Sequence, residues 1–332
     1  MKITKPSLFD AFRCIADRCP DSCCKEWDVQ VDPEFAGYYR GLPGALGDRL
    51  RSVLKDEDGE TYMVIQDGRC PMWRMDGLCR IQAELGEQAL CRTCREFPRL
   101  THDYGDFVER GLELSCPEAA RMMLSRDWET VAEEIPGAGE AEYDEEAMAV
   151  LKDTRDRALE ILTDTAVPVN VCLALLLLYG CQAQSELDGG ETQPFHAAAA
   201  LEIARELAVK GERGAILPFF SGLEILTPKW EAMLASPEPM PWREEFRRIA
   251  RYFVERYWLQ AVSDYDLYSR VKLAVISCLA IRETGGELTE TAQLYSKEIE
   301  NSIDNVEALL DAAYTHGDFT DDKLLARLLR EA

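Results

Sequence analysis

The sequence predicts a mainly α fold, in which a cysteine-rich N-terminal module with short β elements packs on a larger all-helical domain. Nine of the twelve cysteines lie between Cys14 and Cys116, and stretches of helical periodicity follow one another from about residue 144. A chain of 332 residues with 47% hydrophobic content can form a core without cross-links. We therefore expect a cysteine-rich module at 1–125, an acidic linker at 126–145 and a helical domain at 146–332.

The cysteine-rich module mixes short strands with short helices. Alternating apolar residues predict strands at 28–32 and 61–66, and a weaker strand at 107–114. Helical spacing of apolar residues predicts a helix over 78–90, and Pro117 marks the first turn of another.

The second half of the chain contains long helices separated by Gly and Pro breakers. An apolar stretch at 167–181 is interrupted by Pro168 and Asn170 and is shorter than the ~20 residues that span a bilayer, so we interpret it as a buried helix. The first residues lack the apolar run of a secretory signal. We therefore expect a cytoplasmic protein without a membrane partner. The predicted helices are 144–163, 168–187, 195–210, 215–234, 242–262, 265–284, 289–313 and 320–330.

The charge distribution argues against nucleic-acid binding, which needs a basic surface. The net charge is −24, of which residues 1–120 carry −6 (16 Lys and Arg against 22 Asp and Glu) and the remainder carries −18. Between Arg69 and Arg99 the balance reverses, with six arginines against four acidic residues. A thiolate-ligated iron–sulfur cluster is anionic, and arginine donors nearby would offset its charge.

Dense cysteines in a reducing compartment indicate metal or redox chemistry rather than disulfides. Only three histidines are present, which argues against a Cys₂His₂ zinc finger. A Cys₄ zinc site stays open, because Cys91-x-x-Cys94 resembles half of a zinc ribbon. Thiolates suit zinc, copper(I) and iron–sulfur centres.

The spacing of the cysteines limits how they can share a centre. Adjacent Cys23 and Cys24 need a special turn to serve one centre; otherwise they serve two, or one is merely packed. Cys91 and Cys94 can converge within one helical turn. Cys79 and Cys91 would lie about 120° apart on one helix, so a helix must end between them or Cys79 must reach another neighbour. Nine thiols could complete one four-cysteine centre or two. Three single cysteines in apolar helical contexts are interpreted as structural: Cys172, Cys181 and Cys278.

Two segments carry a resemblance to a known family. CIADRCPDSCCKEWDVQVD (14–32) and CPMWRMDGLCRIQAELGEQALCRTCREFPR (70–99) resemble motifs of bacterial flagellin lysine-N-methylases, and of a broader family described as zinc- or iron-chelating. The resemblance implies methyl transfer from S-adenosylmethionine to lysines of flagellin, or of another lysine-bearing protein. It also implies an iron–sulfur cluster, of the 4Fe–4S type, with zinc as the alternative. The cysteines that match are Cys14, Cys19, Cys23, Cys24, Cys70, Cys79, Cys91, Cys94 and Cys116.

The chain lacks the common signatures for binding S-adenosylmethionine. The radical-type triplet C-x-x-x-C-x-x-C is absent, and the glycine-containing segment at 134–140 follows an acidic, amphipathic stretch rather than a buried strand. We therefore hypothesise that an open iron position chelates the amino and carboxylate groups of S-adenosylmethionine. The alternative is a cluster that only organises the fold.

Candidates for other roles lie near the cysteines. Asp28, Asp32 and Tyr104 could act as a base or orient the substrate, but turn, capping or core roles suit them as well. Three arginines could bind a carboxylate, shield a cluster or form supporting ion pairs: Arg92, Arg95 and Arg99.

A second class of function also fits these residues. A zinc- or iron-binding protein without enzymatic activity could sense redox state and use its helical domain to hold a partner. Iron and acid-labile sulfide analysis tests the cluster, whereas unmodified lysines in co-expressed flagellin would favour this alternative or a different substrate.

Overall fold

A computed structural model describes residues 1–25, 29–137 and 139–330 of the chain. Helices dominate, and the β structure consists of short strands, which confirms the mainly α class. The predicted strand at 28–32 is observed from Val29 onward, while Trp27 and Asp28 lie outside the described residues. The strands are β1 (Lys2–Pro6), β2 (Val29–Val31), β3 (Leu54–Glu57), β4 (Glu60–Met63), β5 (Arg99–Asp103), β6 (Phe107–Leu112) and β7 (Thr130–Glu134).

The strands form two small sheets. The larger sheet has the order β5-β6-β1-β7, with β1 parallel to β6 and the other neighbours antiparallel. Its register places Thr4 opposite Glu109, and Glu109 opposite His102. Because paired residues share a face of the sheet, these three side chains form one row across it. The smaller sheet, β2-β4-β3, is antiparallel throughout.

The helices largely follow the predicted periodicities. They are α1 (Pro33–Gly41), α2 (Gly44–Val53), α3 (Arg80–Leu85), α4 (Arg92–Glu96), α5 (Pro117–Ser125), α6 (Glu145–Thr163), α7 (Val169–Leu187), α8 (Ala197–Lys210), α9 (Leu217–Phe220), α10 (Pro228–Ala235), α11 (Glu245–Tyr257), α12 (Leu267–Thr284), α13 (Leu288–Glu300), α14 (Ile303–Thr315) and α15 (Asp321–Leu329).

Three predicted helices are divided by local capping. The helix at 78–90 ends before Gly86, whose φ of 88° an L-residue rarely adopts, and a 3-10 turn follows. The helix at 215–234 becomes α9 and α10, because Thr227 accepts a hydrogen bond from Trp230 and caps a new helix. The helix at 289–313 becomes α13 and α14, with Ser302 as the new cap.

Two hydrophobic cores hold the fold together. The larger core joins the long helices to residues that precede them in the chain, including Phe12, Phe107 and Trp128. The smaller core lies between β2, β4, α1 and α2, and contains Cys70 and Cys91 among its buried side chains. The cysteine-rich segment therefore has a core of its own beside the helical one.

The apolar stretch predicted to be a buried helix is α7, most of whose apolar side chains are buried, which confirms the prediction. α12 beside it is buried on nearly every face. Within the described ranges, no helix combines the length and apolarity needed to cross a bilayer.

The segment predicted as an acidic linker contains β7, which pairs with β1 from Lys2 opposite Glu134 to Pro6 opposite Thr130. All five residues of β7 are exposed. The division of the chain into three parts stays a prediction.

We expect Gly180→Ala to destabilise the fold by about 1–3 kcal/mol, because an added methyl would overpack the contact between α7 and α12. A Cβ at Gly180 would lie 2.6 Å from the nearer Cγ of Val271. The matched control is Gly37→Ala in α1, where a Cβ meets nothing within 4 Å and should stabilise by up to about 1 kcal/mol. Urea unfolding followed by circular dichroism measures both; equal midpoints would contradict the close contact.

Candidate functional site

A first thiol neighbourhood, formed by Cys24, Cys70, Cys79, Cys91 and Cys94, lies beside the smaller core. The amide of Cys70 donates to the carbonyl of Cys24 at 2.7 Å, which joins two distant segments. Hydrogen bonds from Cys23 and Cys70 lower the pKa of Cys24 to about 3, so it is ready to be a thiolate. Burial, and then the charges of Cys24 and Cys91, raise the pKa of Cys79.

A second thiol neighbourhood, formed by Cys14, Cys19 and Cys116, adjoins the first. Burial, followed by the charges of Cys19 and Cys14, raises the pKa of Cys116 to about 11. Cys23 connects the two neighbourhoods, since its thiol bonds to Cys24 and also feels the charges of Cys14 and Cys116. The adjacent pair therefore lies at the boundary between two groups of thiols.

Cys91 and Cys94 are held at the start of α4 by buried hydrogen bonds. The hydroxyl of Tyr39 accepts from the amide of Cys91 at 2.8 Å and donates to the carbonyl of Ala89 at 2.8 Å. The hydroxyl of Thr93 donates to the carbonyl of Gln30 at 2.8 Å. A hydrogen bond from Cys94 lowers the pKa of Cys91. The smaller core thereby fixes both thiols relative to β2.

Three cysteines occupy the residue that precedes a helix: Cys79 before α3, Cys91 before α4 and Cys116 before α5. Nearby backbone N–H groups lower the pKa values of these thiols, although burial dominates at Cys79 and Cys116. The helix predicted between Cys79 and Cys91 does end between them, as their angular separation requires.

The donor chemistry fits a soft metal centre. Cysteine thiols that are surrounded by backbone N–H donors are suitable ligands for iron–sulfur clusters and for zinc. Across residues 1–25, 29–137 and 139–330, no three His, Cys, Asp or Glu side chains are gathered tightly enough to hold a metal ion. The two neighbourhoods are thus groups of thiols within electrostatic reach of one another.

The acidic and tyrosine candidates have structural partners. Asp32 caps α1 by accepting from the amide of Phe35 at 3.2 Å, and its other oxygen accepts from the amide of Arg92 at 2.8 Å. Tyr104 stacks on Phe107 with 4.7 Å between ring centroids. Asp28 lies outside the described residues.

The three candidate arginines do not converge on one point. Arg95 lies over the ring of Phe35, at 5.6 Å, and Arg99 lies over the ring of Phe12, at 5.1 Å. The amide of Arg92 binds Asp32. Their roles as carboxylate ligands or as shields of a cluster stay predictions.

A buried ion pair connects the cysteine loop to the helical half of the chain. Lys297 of α13, whose side chain is 4% exposed, lies 2.9 Å from the carboxylate of Asp21. Gln293, one turn earlier, donates to Asp21 at 3.3 Å and to the carbonyl of Ser115 at 2.7 Å. Asp21 lies between Cys19 and Cys23, so α13 positions both cysteine segments.

A polar cavity of about 140 Å³ lies between the larger sheet and helices α5, α6 and α11. The row of Thr4, Glu109 and His102 forms its floor. Arg155 of α6 pairs with Glu109 through both Nη atoms, each at 2.8 Å. The remaining residues that line the cavity are Lys5, Pro6, Leu100, Arg110, Gly111, Leu112, Met123, Thr130, Asp156, Leu159, Tyr252, Glu255 and Arg256.

A buried charge network forms one wall of the cavity. Arg256 pairs with Glu300 at 3.1 Å and donates to the hydroxyl of Tyr252 at 2.7 Å. The hydroxyls of Tyr252 and Tyr257 both donate to Glu300. Burial opposes the charge of Arg256, but Glu300, the two tyrosines and Glu113 together outweigh burial and raise the pKa of Arg256 well above its ordinary value. Glu113 lies 4.0 Å from the same guanidinium.

The residues of this cavity carry no sequence signal that we recognised. His102 and Glu109 become neighbours only through the pairing of β5 with β6. Arg155 and Arg256 come from helices much later in the chain. The one sequence feature that points to this cavity is His102, one of only three histidines in the chain.

We expect His102 to make the folded state less stable in mild acid. Burial, and then the charge of Arg256, lower the pKa of His102 below its ordinary 6.5 in the folded state. The contribution of neutral His102 to the free energy of unfolding is therefore full above about pH 6.5. As the pH falls from there toward the pKa of the folded state, this free energy decreases by about 1.4 kcal/mol per pH unit. His102→Asn should flatten urea stability between pH 7 and 5, whereas His196→Asn, at an exposed position, should not. If wild type, His102→Asn and His196→Asn show parallel curves of unfolding free energy against pH, this prediction is wrong.

The fold and the two thiol neighbourhoods define a class: a mainly helical protein with an N-terminal cluster of cysteines. The chain is 32% identical over 133 residues to the flagellar biosynthetic protein FliU of Salmonella muenchen, a match that covers 37% of this chain and 77% of that protein. It is equally identical, over the same length, to proteins named lysine-N-methylase in Salmonella typhimurium and Salmonella choleraesuis. The chain belongs to the flagellin lysine-N-methylase family.

The match spans about a third of those two lysine-N-methylases, namely 32% of each. No family profile matches the chain. No solved structure matches it either.

Proposed function

We propose that this protein transfers methyl groups from S-adenosylmethionine to lysine side chains of flagellin, with an iron–sulfur cluster held by its N-terminal cysteines. The observation that carries the proposal is the similarity to two proteins named lysine-N-methylase and to a flagellar biosynthetic protein. The thiol neighbourhoods support the proposal chemically, because thiolates are ligands that iron–sulfur clusters prefer. We propose that the protein acts in the cytoplasm, which keeps thiols reduced.

The reaction is a displacement at a methyl group. The lone pair of a neutral lysine amine forms the new N–C bond, the C–S bond breaks, and its electron pair stays on sulfur. S-adenosylhomocysteine leaves, and the amine loses a proton to solvent. Since lysine has an ordinary pKa near 10.4, the protein must favour the neutral amine by burial or with a base. After that, positioning of the two reactants supplies most of the acceleration.

The first thiol neighbourhood contains enough ligands for one four-iron cluster. Cys24 has the strongest tendency to be a thiolate, and Cys91 follows it. When bound, a cluster supplies a Lewis-acidic iron centre and a link between three segments of the chain. Zinc bound by the same thiols is the alternative.

Co-expression with flagellin in a host without this enzyme tests the activity. Mass spectrometry of flagellin peptides should find lysines that carry added methyl groups, and cells without the protein provide the control. Unmodified lysines in both cultures would contradict flagellin as the substrate.

Anaerobic purification tests the cluster separately. We expect a coloured protein that contains iron and acid-labile sulfide in similar amounts. A colourless protein that contains zinc alone would contradict the iron–sulfur proposal while leaving methylation open.

A further inference from the structure

The cavity above the larger sheet contains two buried polar atoms without a partner. Nε2 of His102 and Nε of Arg155 are both buried, and neither has a hydrogen-bond partner among the described residues. A buried polar atom left unpaired costs about 1–3 kcal/mol, so such atoms are rare in folded proteins. Both atoms belong to residues that line one cavity, and a ligand that reaches them there would complete their hydrogen bonds.

The geometry of Arg155 defines part of that ligand. Its two Nη atoms both donate to the carboxylate of Glu109. The edge of the guanidinium that contains Nε therefore remains available to another acceptor. A guanidinium presents its donors in a fixed fork that matches a carboxylate along this edge too. A carboxylate on the ligand is therefore the group that Arg155 would select.

His102 defines a second feature. Burial and the nearby charge of Arg256 lower its pKa, so the imidazole is neutral at pH 7. A neutral imidazole nitrogen exchanges one hydrogen bond with an amino or hydroxyl group. A carboxylate beside an amino group is the amino-acid end of a small molecule.

The remainder of the cavity can take an apolar or aromatic body. Leu112, Met123 and Leu159 line the cavity, whose volume is about 140 Å³ and whose mouth opens to solvent.

We infer that this cavity is the binding site of the methyl donor, with Arg155 and His102 holding the amino-acid end of S-adenosylmethionine. The inference rests on the proposed function for the identity of the ligand. It differs from chelation of the same group by an open iron position, and it needs no metal for binding.

Calorimetric titration of the full-length protein without flagellin tests the site. The probes are S-adenosylhomocysteine and methylthioadenosine, which lacks the amino-acid end. We expect wild-type protein to bind the first at least about tenfold more tightly, as a charge-assisted hydrogen bond provides. Arg155→Lys and His102→Asn should each lose most of this preference, and Arg121→Lys, at an exposed position, should keep it.

The outcomes separate the site from the function. If both cavity variants fold and keep the wild-type preference, the donor binds elsewhere and the inference is overturned, while methylation of flagellin stands. If wild-type protein binds neither probe, the inference is overturned as well, and the co-expression assay decides the function alone. If the preference depends on the cavity but flagellin stays unmodified, the site stands and the proposed substrate does not. Since Arg155→Lys leaves Glu109 with a poorer partner, His102→Asn is the decisive variant where the first does not fold.

Discussion

Cys24→Ala should reduce bound iron to background and abolish methylation of flagellin together. Cys24 bonds to both Cys23 and Cys70, and of the thiols described its pKa is lowered furthest, to about 3. A thiolate is the form that binds metal, so the loss of this ligand removes the one most ready to bind. Iron and acid-labile sulfide content, together with the methylation state of co-expressed flagellin, measure the two effects.

The matched control is Cys181→Ala. Cys181 is exposed on α7 and faces Asp321 at 4.0 Å. The Cys181→Ala variant should retain bound iron and should still methylate flagellin. Full iron content in Cys24→Ala would show that the cluster does not depend on the first neighbourhood. A comparison of Cys70→Ala with Cys116→Ala then tells whether one neighbourhood or both bind iron.

Arg256→Met should destabilise the protein by roughly 3–5 kcal/mol, the largest effect we expect from a single side chain outside the cysteines. The side chain of Glu300 is 1% exposed and is paired with Arg256. Removal of the guanidinium leaves this carboxylate buried without its cation, and leaves Glu113 without the charge beside it. Urea unfolding at neutral pH measures the loss.

Arg121→Met is the control for charge alone. Arg121 is 63% exposed and pairs with Glu118 on the same helix, so its removal should cost less than about 1 kcal/mol. Similar losses in the two variants would show that the network around Arg256 contributes no more than a surface pair.

The long helices could be predicted because their apolar periodicity and their breakers are local properties of the sequence. α6, α7 and α12 begin and end within a few residues of the expected positions. The divided helices were missed because a single cap, such as Thr227 or Ser302, ends a periodicity that otherwise continues.

The short strands of the larger sheet gave weaker signals. β7 is exposed along its whole length, so it shows no alternation of buried and exposed residues. β1 ends in Pro6 and pairs with β6, more than a hundred residues later. Pairing over such distances is not encoded in any local pattern, and the cavity above this sheet therefore could not be anticipated.

The cysteines show what the sequence can predict and what depends on the fold. Their residue type and density predicted metal chemistry, and the resemblance named the family. Which thiols are neighbours depends on turns and on the smaller core, as the contact between Cys24 and Cys70 illustrates. The position of Cys23 and Cys24 at the boundary between the two neighbourhoods likewise depends on tertiary contacts that no local pattern encodes.

The ion pair between Asp21 and Lys297 has a consequence for the order of events during biosynthesis. The two residues are 276 positions apart, and the ion pair connects the loop between Cys19 and Cys23 to α13. While a ribosome is still adding residues, this loop has no partner to hold it, although domains at the N-terminus usually begin to fold first. The cysteine loop can reach its final position only after α13 has emerged. A cluster bound at this loop, as proposed, would therefore meet a finished site only after α13 has emerged.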